Sequence, residues 1–394
     1  LIMSDRTVVI TGAKRTPIGS FQGQVNTASA VDLGAVALAG AVEQCGIDAA
    51  DLSEVIMGCV LPAGLGQAPA RQASLKAGIP TAAGCTTVNK VCGSGLKAVM
   101  LGHDAIKAGS SKIVAAGGME SMTNAPYLLP KARGGMRMGH GEVQDHMFLD
   151  GLQSPYDKQM MGMFGEMCAE KYDFSRTDQD AFAITSIERA QRAIHEGDFE
   201  NEIIPVTVTV RRKEQVFKED EEPHRCNIPR VPELRPAFKK DGTITAANAS
   251  KISDGAAATI LMTADEAEKR GIKPLARIVA HATFAHEPEW FTTAPSTAVA
   301  MVIEKAGWTT EEVDLFEINE AFASVTMAAM ADNALDHAKV NVNGGACALG
   351  HPIGASGARI LVTLIHALRR RGLKKGVASL CLGGGEAVAV AIEI

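Results

Sequence analysis

Two glycine-rich segments, far apart in the chain, carry side chains suited to nucleophilic and general-base chemistry. Cys92 stands in the run CGSG, and His351 stands in NGGACALGHPIGASG among five glycines. Each precedes a stretch with helical periodicity, and the free N–H groups of a helix N-terminus lower a thiol pKa and stabilise an oxyanion. We therefore predict a nucleophile in one loop and its base in an equivalent loop. The alternative is that Cys92 is a buried structural cysteine.

Two further segments place polar side chains beside apolar runs. Asn319 and Glu320 follow VDLFEI, and Cys381 is followed by three glycines after a buried strand. The carboxyl ends of strands are where α/β proteins build their sites. Asn319 and Glu320 can equally be an N-cap pair for the next helix. The chain carries neither a GxxxxGK[ST] phosphate loop nor a Rossmann fingerprint, and its histidines show no metal-ligand spacing, so we expect no metal site.

An internal repeat indicates how these loops are positioned. Gly46 matches Gly307 at an offset of 307 − 46 = 261, and Ser94 matches Ser356 at an offset of 262. The matched segments read as amphipathic helices and as near-continuous apolar strands, which suit sheets covered on both faces. The chain therefore reads as two homologous α/β halves, with Cys92 and His351 in equivalent loops.

The stretch between about residues 121 and 250 has no counterpart in the second half. It is rich in Met, Gly and charge and contains one clear helical pattern, Arg176–His195. Long insertions in compact α/β domains are usually functional, so this stretch predicts a cap or a ligand-binding lobe. The charged run 211–222 favours a solvated face over a partner site.

Composition limits the class of protein. The 394 residues include 39 Lys plus Arg against 45 Asp plus Glu, a net charge of −6, which argues against a general nucleic-acid or anionic-membrane binder. No apolar run reaches the length of a membrane span. Eight irregularly spaced cysteines without a CxxC motif indicate free thiols and a cytoplasmic protein.

Several segments together resemble the thiolases: NKVCGSGLKAV, NEAFA, NGGACALGHPIGASGARILVTL and CLGGGEA. The similarity extends over essentially the whole chain and is greatest to the acetyl-CoA C-acetyltransferases. It implies an α/β thiolase fold of two halves stacked as five layers, α-β-α-β-α, with an inserted loop domain. The implied boundaries are 1–121 plus 251–273 for the N-terminal half, 122–250 for the insertion and 274–394 for the C-terminal half.

The resemblance also implies roles for single residues. Cys92 would be acylated, His351 would take its proton and later polarise a thioester oxygen, and Cys381 would remove the α-proton of acetyl-CoA. Asn319, through a water, would complete one oxyanion hole with His351. The second oxyanion hole would use the backbone N–H groups of Cys92 and Gly383. The matching positions for coenzyme A are Leu152, Phe238, Ser250 and Phe322, with Arg225 near the adenine end.

The implied activity is reversible Claisen condensation of two acetyl-CoA to acetoacetyl-CoA and CoA. The resemblance implies no permanently bound cofactor, and a homotetramer that is a dimer of dimers. A degradative 3-ketoacyl-CoA thiolase of broader chain length is the alternative. Two departures from the family pattern touch the acyl pocket, namely Met160 where many short-chain members have His, and FTTAP at 291–295 where many have Met-Gly-x-Gly-Pro.

Overall fold

The computed structural model describes residues 6–394, so the first five residues of the predicted N-terminal half lie outside it. The strands are β1 (Val8–Arg15), β2 (Gly19–Ser20), β3 (Glu54–Gly58), β4 (Gly84–Val88), β5 (Ile113–Ser121), β6 (Tyr127–Leu128), β7 (Gln144–Asp145), β8 (Val206–Val210), β9 (Lys213–Phe217), β10 (Ser253–Thr263), β11 (Ala276–Ala285), β12 (Leu315–Ile318), β13 (Lys375–Leu382) and β14 (Glu386–Glu393). The α-helices are α1 (Ala30–Cys45), α2 (Pro69–Lys76), α3 (Ser94–Ala108), α4 (Met161–Lys171), α5 (Arg176–His195), α6 (Glu222–Arg225), α7 (Ala264–Lys269), α8 (Ala294–Ala306), α9 (Ala323–Asn333), α10 (Ala346–Leu349) and α11 (Ser356–Arg371). Over this part of the chain no helix is long and apolar enough to cross a bilayer.

The two halves repeat one strand order. The first runs β4-β3-β5-β10-β1, with β3 parallel to β4 and β5, and with β10 antiparallel to its neighbours. The second runs β12-β13-β14-β11 with the same directions. Its fifth strand is reduced to one parallel bridge, between Phe316 and Val340. Pairing of Val9 with Arg277 and of Ile10 with Ala276 joins the halves edge to edge.

Alternating side chains on the strands define the layers. In β5, Val114 packs into a core that includes α3 and α11, whereas Ile113 packs on the opposite face with α1. In β14, Val390 joins that same central core, whereas Ala391 packs with α8. Successive strand residues point to opposite faces, so each sheet half is buried on both sides. The predicted α-β-α-β-α stacking is confirmed, with α3 and α11 forming the shared central layer.

The matched glycines of the repeat end equivalent helices. Gly46 follows α1 with φ of 74°, and Gly307 follows α8 with φ of 70°. In each case the glycine N–H donates to carbonyls of the last helical turn. This left-handed conformation favours residues without a Cβ, which explains why a glycine recurs at this point of both halves.

The segment 122–250 was only partly anticipated. Helix α5 has the predicted bounds Arg176–His195, but α4 was missed. The interpretation of the charged run as a solvated face holds for β9 but is wrong at its end. There Asp220 is fully buried and binds both terminal nitrogens of the equally buried Arg15 at 2.7 and 2.8 Å. The predicted domain boundaries themselves stay a prediction.

Candidate active site

The loop that carries Cys92 is tightly held by the helix that follows it. Ser94, the first residue of α3, accepts a hydrogen bond from the Lys90 N–H at 2.8 Å and donates one to the Val91 carbonyl at 2.6 Å. Val91 has φ of 47°, a left-handed conformation that is unusual for a β-branched residue. Such strain persists only where surrounding contacts enforce it, and it concentrates at functional sites. Cys92 itself is partly buried.

The loop that carries His351 reaches the same region because α3 and α11 cross at their first turns. A Cβ on Gly95 would lie 2.8 Å from the Ala358 nitrogen, and a Cβ on Gly357 would lie 2.4 Å from the Leu96 nitrogen. Only glycine permits so close a backbone approach. The crossing therefore brings together the two helix N-termini, as the internal repeat predicts.

His351 is fixed at both ring nitrogens. Its Nδ1 lies 2.5 Å from the Ser356 Oγ, and its Nε2 lies 3.5 Å from the Asn319 Nδ2. Ser356 has one hydroxyl proton, which it donates to the Pro352 carbonyl at 3.0 Å. Because Asn319 Nδ2 can only donate, the neutral imidazole keeps its lone pair on Nε2 and carries its proton on Nδ1, which faces the Ser356 oxygen. The residue that selects this tautomer, Ser356, appeared in the sequence only as the repeat partner of Ser94.

Asn319 follows β12 as predicted, and its carboxamide has an open acceptor. Its Oδ1 is buried without a hydrogen-bond partner among the described residues. The neighbouring Glu320 serves the fold instead, since its carboxylate accepts hydrogen bonds from Ser186 Oγ, Asn341 Nδ2 and Cys347 N. The N-cap alternative is wrong, because the residue before α9 is Phe322, and no side chain caps that helix.

Cys381 lies inside β13, buried next to the loop that carries Cys92. Burial raises its pKa well above the usual value, and the nearby Cys92 adds to the effect. Gly383 begins the turn to β14, and its backbone N–H interacts with the Cys92 thiol. The Cys92 loop and the end of β13 lie close together, because a Cβ on Gly93 would lie 2.5 Å from the Leu382 side chain. The two thiols and the Gly383 N–H therefore share one small region.

Burial sets the pKa values of Cys92 and His351, and the value for Cys92 differs from the sequence prediction. Burial raises the pKa of Cys92 to about 12, outweighing the backbone N–H groups of Gly383 and Cys92. Burial also lowers the pKa of His351 to about 3, with a smaller contribution from Arg359. The expectation of a lowered thiol pKa is thus wrong, because loss of solvation exceeds the effect of the helix N-terminus. At neutral pH the resting site holds a neutral thiol and a neutral imidazole.

A buried carboxylate that no sequence motif indicates binds backbone groups of two loops near the site. Glu120, at the end of β5, accepts hydrogen bonds from the backbone N–H groups of Val60, Leu61 and Gly354 at 2.9, 3.2 and 3.0 Å. Burial raises its pKa to about 7. Through Gly354 the residue fixes the turn that follows His351. Its charge also opposes ionisation of Cys92.

A cavity of about 390 Å³ opens above His351. Four of the five residues predicted to bind coenzyme A line it, namely Leu152, Phe238, Ser250 and Phe322. Arg225 does not. It lines a separate cavity of about 300 Å³, and its side chain is 57% exposed near Glu221 and Glu222. Lys251 borders both cavities. Of the predicted catalytic residues, His351 lines the first cavity, whereas Gly383 lines a third cavity of about 290 Å³ that shares Met161 with the first.

Family models and relatives of known name match this chain over nearly its whole length. The thiolase N-terminal domain model matches residues 8–265, and the thiolase C-terminal domain model matches residues 272–394. The acetyl-CoA acetyltransferase of Pseudomonas aeruginosa is 48% identical over 98% of each chain. That of Chromobacterium violaceum is 49% identical over 98% of this chain and 99% of its own.

Solved structures agree with these sequence matches. The Bacillus anthracis acetyl-CoA acetyltransferase superposes with a TM-score of 0.96 at 42% identity, covering 98% of each chain. The Acat5 thiolase from Ascaris suum, in complex with coenzyme A, superposes with a TM-score of 0.93 at 44% identity, covering 98% of this chain and 100% of that one.

Proposed function

The chain belongs to the thiolase family of acyltransferases, and we propose that it is an acetyl-CoA C-acetyltransferase that works by a ping-pong mechanism through an acetyl-cysteine. It condenses two acetyl-CoA to acetoacetyl-CoA and CoA, and the reaction is reversible. One observation carries this proposal. The partly buried Cys92 and the buried Cys381 pack in apolar clusters with residues that line the cavity of His351, whose neutral imidazole keeps its lone pair on Nε2.

In the first half-reaction Cys92 sulfur attacks the thioester carbonyl while its proton passes to His351. The bond to the CoA sulfur breaks, and Cys381 protonates the departing thiolate. A neutral thiol that loses its proton only during attack suits the raised pKa of Cys92. Acetyl-Cys92, a protonated His351 and a Cys381 thiolate remain.

In the second half-reaction the Cys381 thiolate removes the α-proton of another acetyl-CoA. The resulting enolate attacks the acetyl carbon, and the bond to Cys92 breaks. His351 then returns its proton to Cys92, so that every group recovers its starting state. A thioester α-carbon is a weak acid, so the developing enolate oxygen needs donors aimed at it.

Two donor pairs are proposed for the oxygens that gain charge. Protonated His351 and a water held by Asn319 would receive the enolate oxygen. The unpaired Oδ1 of Asn319 supports this role, because such a water would donate one hydrogen bond to it and another to the substrate. The backbone N–H groups of Cys92 and Gly383 would receive the oxygen of the acetyl-cysteine.

The proposal that coenzyme A binds in the cavity above His351 rests on its mostly apolar lining. Leu152, Phe238, Ser250 and Phe322 are proposed as its contacts. Arg225 lies at the second cavity and is proposed only as a contact to the distant, nucleotide end of the ligand.

The acyl pocket favours a short chain. Phe291, from the segment that departs from the family pattern, is buried, packs edge to face on Phe164 and belongs to the same apolar cluster as Cys381. We infer that this bulk near Cys381 restricts the length of the acyl chain. Steady-state thiolysis of 3-ketoacyl-CoAs of increasing length tests the point. Rates that hold or rise beyond acetoacetyl-CoA would favour the alternative, a degradative 3-ketoacyl-CoA thiolase.

The roles of the two thiols are tested with Cys92→Ala and Cys381→Ser. Incubation with acetyl-CoA should give an acetyl adduct on Cys92 in the wild type and in Cys381→Ser, but none in Cys92→Ala. Cys381→Ser should lose solvent-deuterium exchange into acetyl-CoA by about 10²–10⁴, the usual scale for a lost general base. An adduct that maps to Cys381, or exchange retained in Cys381→Ser, would overturn the assignment.

The remaining proposals concern the oligomeric state and the cellular compartment. The protein is proposed to be a homotetramer, a dimer of dimers, in a reducing cytoplasm that keeps its eight thiols free. Light scattering at micromolar concentration tests the assembly, and a monomeric mass would contradict it.

A further inference from the structure

A cluster of two histidines and an aspartate lies at the junction of the two halves. His103 and Asp104 belong to the last turns of α3, and His281 belongs to β11. One oxygen, Asp104 Oδ1, lies 3.0 Å from His103 Nδ1 and 2.8 Å from His281 Nε2. The rings meet edge to face, with centroids 5.0 Å apart. None of the three residues lines the cavity above His351.

The cluster has the dimensions of a metal site. Its three potential ligand atoms all lie within 4.8 Å of one another. Ligands about 2.0–2.1 Å from a tetrahedral ion stand roughly 3.3 Å apart, so only small side-chain movements are needed to receive one. Two imidazoles and one carboxylate are a donor set suited to Zn²⁺, Co²⁺ or Ni²⁺, whereas Ca²⁺ and Mg²⁺ prefer oxygen alone.

The cluster stands on regular secondary structure and is open to solvent on one side. Its histidines are held by a helix and by a strand of the central sheet, and their side chains are only 11% and 20% exposed. The Asp104 side chain is 52% exposed. An ion can enter from that side and complete its coordination with water. Ligands on regular secondary structure hold a metal geometry better than ligands on loops.

We propose that His103, Asp104 and His281 bind one divalent transition-metal ion that links α3 of the first half to β11 of the second. One ring nitrogen of each histidine faces Asp104, and the ion would take the lone pairs of these two nitrogens while each ring carries its proton on the other nitrogen. Sequence spacing did not predict the cluster because His281 lies 177 residues from Asp104.

The test uses full-length protein freed of metal with EDTA and then freed of EDTA. Titration with CoCl₂ is followed by absorption, and titration with ZnCl₂ by calorimetry and thermal unfolding. We expect one ion per chain, visible cobalt d–d bands without the near-ultraviolet thiolate charge-transfer band, and a raised Tm. His281→Gln should weaken binding by more than the roughly 10–100-fold that loss of a supporting partner costs.

Two further variants complete the design. Asp104→Asn changes a half-exposed side chain, so it should fold normally and still weaken binding. His195→Gln removes an exposed histidine outside the cluster and should bind as the wild type does. Failure of the wild type to bind either metal would overturn the proposal. Binding unchanged in His281→Gln and Asp104→Asn, or a cobalt–thiolate band that places the ion on cysteine, would also overturn it.

Discussion

Ser356→Ala is the substitution that most directly tests how the structure fixes the tautomer of His351, the proposed base. Ser356 and His351 are both buried. The Ser356 hydroxyl lies between the imidazole Nδ1 and the Pro352 carbonyl and is in hydrogen-bond contact with both. Alanine removes this link without adding bulk. The ring is then free to move its proton to Nε2, the atom proposed to accept the proton of Cys92. An imidazole in that tautomer cannot act as the base.

The magnitude follows from the contacts that are lost. A net hydrogen bond is worth about 1 kcal/mol, and leaving a buried N–H without a partner costs about 1–3 kcal/mol. If the tautomer changes to avoid that cost, the active form becomes the minor one by a similar free energy. We therefore expect a loss of about 10–10² in the rate of acetyl-enzyme formation. The KM for acetyl-CoA should change little, since Ser356 does not line the cavity.

The assay pairs quench-flow acetylation, read by intact mass, with ¹⁵N NMR of the histidine side chains. Ser94→Ala is the matched control, because Ser94 occupies the equivalent position in the first half but holds Lys90 and Val91 rather than an imidazole. It should leave the ¹⁵N signals of His351 unchanged. Full acetylation rates in Ser356→Ala, or a wild-type His351 protonated at Nε2, would refute the reasoning.

Three further predictions concern stability. Burial lowers the pKa of His351 to about 3, below its unfolded value near 6.5, so the native state binds fewer protons in that interval and stability falls as pH falls through it. The contribution is at most about 5 kcal/mol, and urea denaturation at several pH values should show a flatter acid limb for His351→Asn. Glu120→Gln should lower the free energy of unfolding by about 2–4 kcal/mol in urea titrations, because an amide nitrogen would face a backbone N–H that now meets a carboxylate oxygen. Gly357→Ala should cost about 1–3 kcal/mol and reduce kcat as well, since its Cβ would force α11 away from the Leu96 backbone of α3; an unchanged Tm and kcat would contradict the close crossing.

The parts of the site that the sequence could predict are those that appear as a local residue pattern or as part of the internal repeat. The matched serines predicted that Cys92 and His351 occupy equivalent loops, and the apolar run before Asn319 predicted its place at a strand end. The ionisation of Cys92 was predicted wrongly. A helix N-terminus can be read from a few neighbouring residues, whereas burial depends on elements distant in the chain, and here burial is the larger effect.

The residues missed in the sequence act through contacts between distant segments. Glu120 reads as one acidic residue in an apolar strand, and only the fold shows that its carboxylate binds backbone groups near positions 60 and 354. Arg225, expected near the adenine end of coenzyme A, lines a second cavity, and its role stays a prediction.

Duplication explains why the loops of Cys92 and His351, the proposed nucleophile and base, lie together. Each half supplies a central helix that begins with Ser-Gly, in α3 as Ser94 and Gly95 and in α11 as Ser356 and Gly357. The glycines let the helices cross in backbone contact, and the serines hold the preceding loops by hydrogen bonds. The halves differ in what the serine holds, which is backbone in one and the imidazole of His351 in the other. One scaffold used twice thus brings two loops together, and the divergence of these loops would separate the proposed attack by Cys92 from the proposed proton transfer by His351.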